Sequence, residues 1–373
     1  MTNWLHNEDG RNNVKNIRLL WLKKFKQIVI NSMKKINYII ALSALPFVVN
    51  CVGQSQLGKK LQPTAITEAV LHDTDDPAIW INPQDASKSI IIGTDKDTNG
   101  GLYAFDLNGK IINKVLGLKR PNNVDLEYGF NLNGKKIDFA AVTERETNKV
   151  KLYSLPDLKE VGEFTVFDGE TERGPMGISI YKNPQTEEIF VIAGRKSGPS
   201  DGYLWQYKLS EKDGKMIGEV VRKFGKYSGL KEIESIAVDD EMGYIYYSDE
   251  QFGVHQYYAD PAKGNEELSV FGKGDFKSDV EGISIYPTSV NTGYILVSNQ
   301  QKDTFNVYLR ENPAKGKIAE IPVSTSESDG SEVTNVNLGS KFPKGMFVAM
   351  SNGRVFHIYD WRVIEERIKA NIK

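Results

Sequence analysis

The chain has 373 residues, 40% apolar and 26% charged, with 33 glycines, 14 prolines and a formal net charge of −2. This composition excludes a wholly disordered or collagen-like chain and allows two or three domains or one large β architecture. The single cysteine, Cys51, excludes an intrachain disulfide framework, and four scattered histidines (His6, His72, His255 and His357) argue against a multi-histidine metal centre.

Residues 1–32 are basic and carry no motif. From Met33 the pattern changes to a short basic start, Lys34-Lys35, then the apolar run INYIIALSALPFVV. That is the pattern of a secretory signal, and it is shorter than the roughly 20 apolar residues of a spanning helix. Cys51 follows in Val48-Val49-Asn50-Cys51, which resembles a bacterial lipobox, with Asn50 where Gly, Ala or Ser is usual. The expectation is a start at Met33, with 1–32 a non-native extension, and a signal over 33–50. Cys51 is then lipidated, and a linker runs over 51–62. Such a protein is exported to the cell envelope or secreted, and meets a membrane only through its lipid anchor. Without residues 1–50, 39 basic and 47 acidic residues remain, a net charge of −8. A nucleic-acid binder carries the opposite balance, whereas an acidic domain suits cations.

From residue 76 one pattern recurs six times. First strands read PAIWIN, VDLEYGF, GISIYK, SIAVDD, GISIYP and NVNLGS. Second strands end at Lys96, Arg145, Lys196, Glu250, Gln300 and Asn352, and third strands rich in Tyr and Phe follow each. A fourth, more polar strand follows in five repeats; the sixth runs instead into WRVIEERIKANIK, a helical pattern. The residues before the first strands are 76, 123, 176, 234, 281 and 334, spaced by 47 to 58. Four strands per unit of this size make a propeller blade. The predicted fold is all-β, a six-bladed propeller of four-stranded antiparallel blades over 63–373 with a short C-terminal helix. The segment PTAITEAVLHD (63–73) supplies the missing strand and closes the ring, which protects an open edge. An array of β-sandwiches is the rival, and it does not explain a count of six with one strand displaced.

First strands line a propeller's channel, so equivalent positions form rings. One ring reads Asp76, Asn123, Met176, Glu234, Glu281, Thr334, with Asp75, Asp125, Glu232 and Asp279 beside it. Converging carboxylates repel unless paired, and hard oxygen clusters suit calcium. A second ring, at the ends of the second strands, reads Lys96, Arg145, Arg195, Glu250, Gln300, Asn352. Cations from three consecutive blades facing acids make a polarised mouth that holds an anion and a metal. Cysteine chemistry is excluded because Cys51 belongs to the leader, and no Arg-His-Gly motif is present for a histidine nucleophile. Metal-activated water remains.

Asp75-Asp76-Pro77-Ala78-Ile79-Trp80, Asn122-Asn123-Val124-Asp125, Glu281-Gly282 and Asp329-Gly330 resemble the β-propeller phytases across residues 63–365. The resemblance implies a calcium-dependent 3-phytase that removes phosphate from myo-inositol hexakisphosphate (phytate). It implies catalytic-calcium acids at Glu68, Asp75, Asp76, Glu234, Glu250, Asp279 and Glu281. It implies phosphate-binding cations at Lys96 and Arg145, and at Arg195, where the family has Lys. Asp76, Pro77 and Val124 resemble a structural calcium site, the latter two through backbone carbonyls, and Asp329 resembles another structural ligand. There are departures: Asp97 for Lys, Met176 for Tyr, Lys196 for an acid and Thr334 for a ligand Asp. A catalytically weak or inactive surface propeller binding polyanions or a partner protein is the alternative, and a calcium-dependent lactonase a third. The partners expected are inositol phosphates and no nucleic acid, on a monomer.

Overall fold

The structure is a computed structural model that describes residues 58–372. The extension 1–32, the signal 33–50 and Cys51 lie outside the described residues. Packing divides the chain into units Met1–Lys59 and Lys60–Lys373, and the second carries the fold. Among the described residues no helix is long and apolar enough to cross a membrane.

After the two-residue strand β1 (Ala65–Ile66), the strands come in fours. Blade one holds β2 (Thr74–Trp80), β3 (Ile90–Asp95), β4 (Gly100–Phe105) and β5 (Ile111–Leu118). Blade two holds β6 (Pro121–Leu132), β7 (Lys135–Glu144), β8 (Lys149–Leu155) and β9 (Glu160–Thr165). Blade three holds β10 (Pro175–Lys182), β11 (Ile189–Arg195), β12 (Asp201–Lys212) and β13 (Lys215–Lys226). Blade four holds β14 (Ile236–Asp239), β15 (Tyr244–Asp249), β16 (Gly253–Tyr258) and β17 (Ser269–Phe271). Blade five holds β18 (Val280–Pro287), β19 (Gly293–Asn299), β20 (Thr304–Leu309) and β21 (Ala319–Pro322). Blade six holds β22 (Ser331–Thr334), β23 (Met346–Ser351) and β24 (Val355–Asp360), and the helix α1 (Trp361–Ile372) follows.

Every blade is an antiparallel meander. Blades two and three share one sheet only because their outer strands touch at a single parallel pair, Met216 and Gly162. Blade six takes its fourth strand from the front of the chain: β1 pairs with β24, Ala65 opposite Ile358. Leu61 already bonds to Pro322, so the folded unit begins two residues ahead of the expected boundary at 63.

The core shows why the ring closes. Second and third strands are buried on both faces, so alternate residues face opposite neighbours. Ile90 and Ile92 pack toward blade two, while Ile91 between them packs toward blade six. Six buried clusters result among the described residues, one between each consecutive pair of blades, the last joining blade six to blade one. A β-sandwich array has no such cyclic set. Large apolar side chains each contribute about 1.5–3 kcal/mol on burial, so the seams carry the stability. At the seam of blades five and six, α1 drives in Trp361, wholly buried and stacked on Tyr286.

Hydroxyls stitch the seams beside the channel. Thr94 donates to the Asn122 carbonyl, Thr143 to that of Met176 and Ser298 to that of Ser328, each 2.6–2.7 Å into the following blade.

Blade six corrects the sequence reading. Its first strand is β22, Ser331–Thr334, and not the run from Asn335. The pairing also divides the expected ring between two levels: Asp329 is level with Asp75, Asn122, Met176, Glu234 and Glu281, whereas Gly330 is level with Asp76, Asn123, Gly177, Ser235 and Gly282. Thr334 lies at the far end of β22, opposite Met346. The apolar spacing of Val336 and Leu338 that suggested a strand instead serves a loop, whose Leu338 is buried in the seam between blades six and one.

Candidate active site

First strands begin, and second strands end, at one mouth of the channel. In blades one, two, three and five the first strand enters through the same irregularity. Thr74 faces Asp95 and Pro77 faces Gly93, so three steps on one strand match two on the other. The same count holds at Pro121/Val124, Pro175/Ile178 and Val280/Ile283. A bulge of this kind re-aims side chains. Here it parts neighbours, with Asp75 entering the mouth and Asp76 the channel below. The blades also meet backbone to backbone: Gly282 N–H donates to the Asp329 carbonyl and Gly330 N–H to that of Asp75. A Cβ on Gly330 would lie 2.8 Å from the Asp75 carbonyl and 2.6 Å from the Asp76 Cα, so only glycine fits.

Three overlapping groups of carboxylates, each with ligand oxygens within 4.8 Å, form an arc across blades four, five, six and one: Asp75–Glu234–Asp329, Glu232–Glu234–Glu250 and Glu250–Asp279–Glu281. Burial, with the charge of Asp75, pushes the Glu234 carboxyl well above the usual range. Burial, with Glu234 and Glu250, does the same to Glu281. Glu250 is pushed to about 7 by burial, against the pull of Lys231. Asp279 is held below the usual range: burial opposes, but Lys231, Ser278 and Gln251 outweigh it. Glu281 is 3% exposed and its Oε2 has no hydrogen-bond partner among the described residues. A dense set of hard oxygens with one buried and unsatisfied is what an oxygen-seeking cation fits.

The cations are placed differently from the expected ring. Lys96 points into the acidic arc, on Asp75 and 3.2 Å from Asp329 Oδ2. Arg145 is half-buried with its Nη2 against the Met176 sulfur and its Nε unpartnered among the described residues, and burial lowers its pKa. Arg195 is not at the mouth. It is 1% exposed, 3.3 Å from Glu170, bonded to the Glu172 carbonyl and packed over Phe167. Backbone pairing shows why. Arg195 ends β11 opposite Pro175, as Asp95 ends β3 opposite Thr74 and Glu144 ends β7 opposite Pro121. The residue equivalent to Lys96 and Arg145 is Lys196, whose N–H bonds to the Gly174 carbonyl as theirs bond to Asp73 and Arg120. A one-residue step in a strand reverses the face. Lys196 Nζ lies 2.9 Å from Glu232 Oε1, at the edge of the acidic arc.

Two further expectations are corrected. Glu68 is exposed and accepts the Ile111 N–H at the edge of β5, apart from all three carboxylate groups. Asp329, read as a ligand of a separate structural site, sits in the mouth with Asp75 and Glu234. Pro77 and Val124 line a channel cavity of about 140 Å³ with Asp76, whose Oδ2 accepts the Val124 N–H. Asp125, Glu127, Asp240 and Glu332 line it too. Burial raises Asp125 to about 6, Glu127 to about 7 and Glu332 to about 8.

A family profile described as Phytase matches residues 32–369. The chain belongs to the phytase family. It is similar to the 3-phytase of Bacillus subtilis (strain 168), at 30% identity over 319 residues, 79% of this chain and 81% of that one. A solved structure of the Dos1 propeller is similar at 14% identity and a TM-score of 0.42, over 76% of this chain and 66% of that one.

In this phytase-family chain the sequence reading passed over Lys231. Its ammonium lies 2.6 Å from Glu250 and 2.7 Å from Asp279. It belongs to the loop between β13 and β14, outside any strand repeat, so ring alignment had no position for it. Glu232, noted only as a neighbour, joins the second carboxylate group.

Proposed function

We propose that the mouth catalyses calcium-dependent hydrolysis of the phosphomonoesters of phytate. The observation that carries the reading is the meeting, at one mouth of a phytase-family propeller, of overlapping carboxylate groups with the cations of blades one to three. Asp75, Glu234 and Asp329, and Glu250, Asp279 and Glu281, are the residues that would hold calcium. Calcium bound there supplies neutralising charge and a coordinated water of lowered pKa. Arg145 and Lys196 receive the scissile phosphate, Arg145 through its planar fork, and Lys96 lies at the boundary between metal and anion. The surrounding acids also orient the substrate, because its polyanion is admitted only on the basic side. The relative's name, 3-phytase, supports the same substrate class.

The proposed setting is an exported, lipid-anchored monomer that binds no nucleic acid. The test of function is phosphate release from phytate by the purified protein with calcium and again after EDTA. Release that EDTA abolishes supports the reading. Phytate that binds tightly but is never turned over, between pH 5 and 8 with ample calcium, selects the polyanion-binding alternative, which the Met176 contact with Arg145 favours.

A further inference from the structure

Lys231 differs from Lys96, the other mouth lysine that pairs with two buried carboxylates. Lys96 is 14% exposed in its acid pair, whereas the Lys231 side chain is 39% exposed while its two partners are almost fully buried. It reaches the mouth from the loop after β13, which is fastened at both ends. Asp249 accepts from the Ser228 N–H and hydroxyl, and Glu250 N–H donates to the Glu232 carbonyl. The loop is thus fixed and the ammonium enters from the solvent side.

Its partners are two of the three carboxylates of the Glu250–Asp279–Glu281 group. One ammonium against three carboxylates leaves the pocket short of positive charge, and Glu281 Oε2 shows the deficit as an unpartnered buried oxygen. Asp279 Oδ2 is further occupied by Gln301 at 2.6 Å, and Glu250 Oε2 faces Lys231. A divalent cation drawing on these carboxylates needs the oxygens that the ammonium holds. The two charges cannot share them at ligand distance, since like charges a few ångströms apart repel strongly in a buried site.

We propose that Lys231 is a displaceable internal counter-ion of the Glu250–Asp279–Glu281 pocket. It competes with the divalent cation for these carboxylates and so sets the calcium concentration at which the site fills. The ammonium offsets the pocket's charge before calcium binds, and its solvent-facing stem gives it somewhere to go. The inference rests on the reading of this mouth as a calcium site.

The test is calorimetric titration of the full chain with calcium chloride alone, on wild type, Lys231→Gln and the control Lys277→Gln. Lys277 lies on the same rim, two residues from Asp279, but its ammonium donates to the Gln301 carbonyl and, among the described residues, to no carboxylate. Removing a partly exposed competitor with two ion pairs tightens calcium binding about tenfold in Lys231→Gln. The control stays within about twofold, as expected of a screened charge. Thermal melts add a second readout: Lys231→Gln melts lower than wild type in EDTA and gains more on adding calcium. Equal or weaker calcium affinity in Lys231→Gln overturns the proposal and leaves the calcium site standing. Equal tightening in the control overturns it too, by showing a general field. Absence of calcium binding in all three proteins overturns the calcium reading and this inference with it.

Discussion

Replacing Lys96 by Met keeps the length of the side chain and removes its charge. The ammonium touches Asp75 and lies 3.2 Å from Asp329, and the side chains of all three are at most 14% exposed. Breaking a buried pair in this way costs about 3–5 kcal/mol, because carboxylates are left without a counter-charge. Asp329 has one escape, which is protonation. Burial already places Asp329 at about 7 against the pull of Lys96, and without Lys96 it rises further. The folded variant then holds a proton that the unfolded chain, with ordinary carboxyls, releases. Stability therefore falls as pH rises from the unfolded carboxylate range through the raised folded value. The expected loss relative to wild type is about 3 kcal/mol at pH 8, shrinking to about 1 kcal/mol at pH 5, in cation-free buffer. Urea unfolding in EDTA, followed by circular dichroism at both pH values, reads this directly. A loss below about 1 kcal/mol at pH 8, or equal losses at the two pH values, refutes the argument that Lys96 compensates buried charge.

Three further outcomes are expected. Lys196→Ala raises the KM for phytate with stability changed by no more than about 0.5 kcal/mol, whereas Arg195→Ala destabilises by about 2–4 kcal/mol and leaves KM unchanged in the folded enzyme; the reverse split restores Arg195 to the mouth. Glu332 moves from its ordinary 4.5 to about 8 in the channel, so in EDTA the wild type loses at most about 5 kcal/mol as pH rises through that window. Glu332→Gln removes that part of the slope in urea melts taken at intervals between pH 4.5 and 9, and an unchanged slope contradicts the assignment. Gly330→Ala forces a Cβ onto the backbone of Asp75 and Asp76, so it lowers the melting temperature and weakens calcium affinity; a calorimetric titration that matches wild type argues against the close approach.

Much of the architecture is legible in the sequence because a blade is read by periodicity. The β-branched and aromatic runs of all six second and third strands lie where strands form, and the displaced strand at Ala65–Ile66 closes blade six. The acids Asp75, Glu234, Glu250, Asp279 and Glu281 are likewise brought together. What escapes periodicity is backbone irregularity. The extra residue at the mouth end of four first strands sends Asp75 and Asp76 different ways, and no residue pattern marks it. Blade six was misplaced by four residues because Ser331–Thr334 is short and polar, while its neighbouring loop is apolar. Arg195 and Lys196 are adjacent and alike in charge, so only the pairing register tells the buried cation from the exposed one. Lys231 acts from a loop, where alignment of strands is silent.

The central claim is that these convergent acids form the active centre. Phosphate release from phytate, measured with saturating calcium on wild type and Glu234→Gln side by side, tests it most directly. Glu234 belongs to two of the three carboxylate groups, so the account predicts release by wild type and at least about a tenfold lower rate in the variant. Wild-type release that Glu234→Gln leaves unchanged would contradict it.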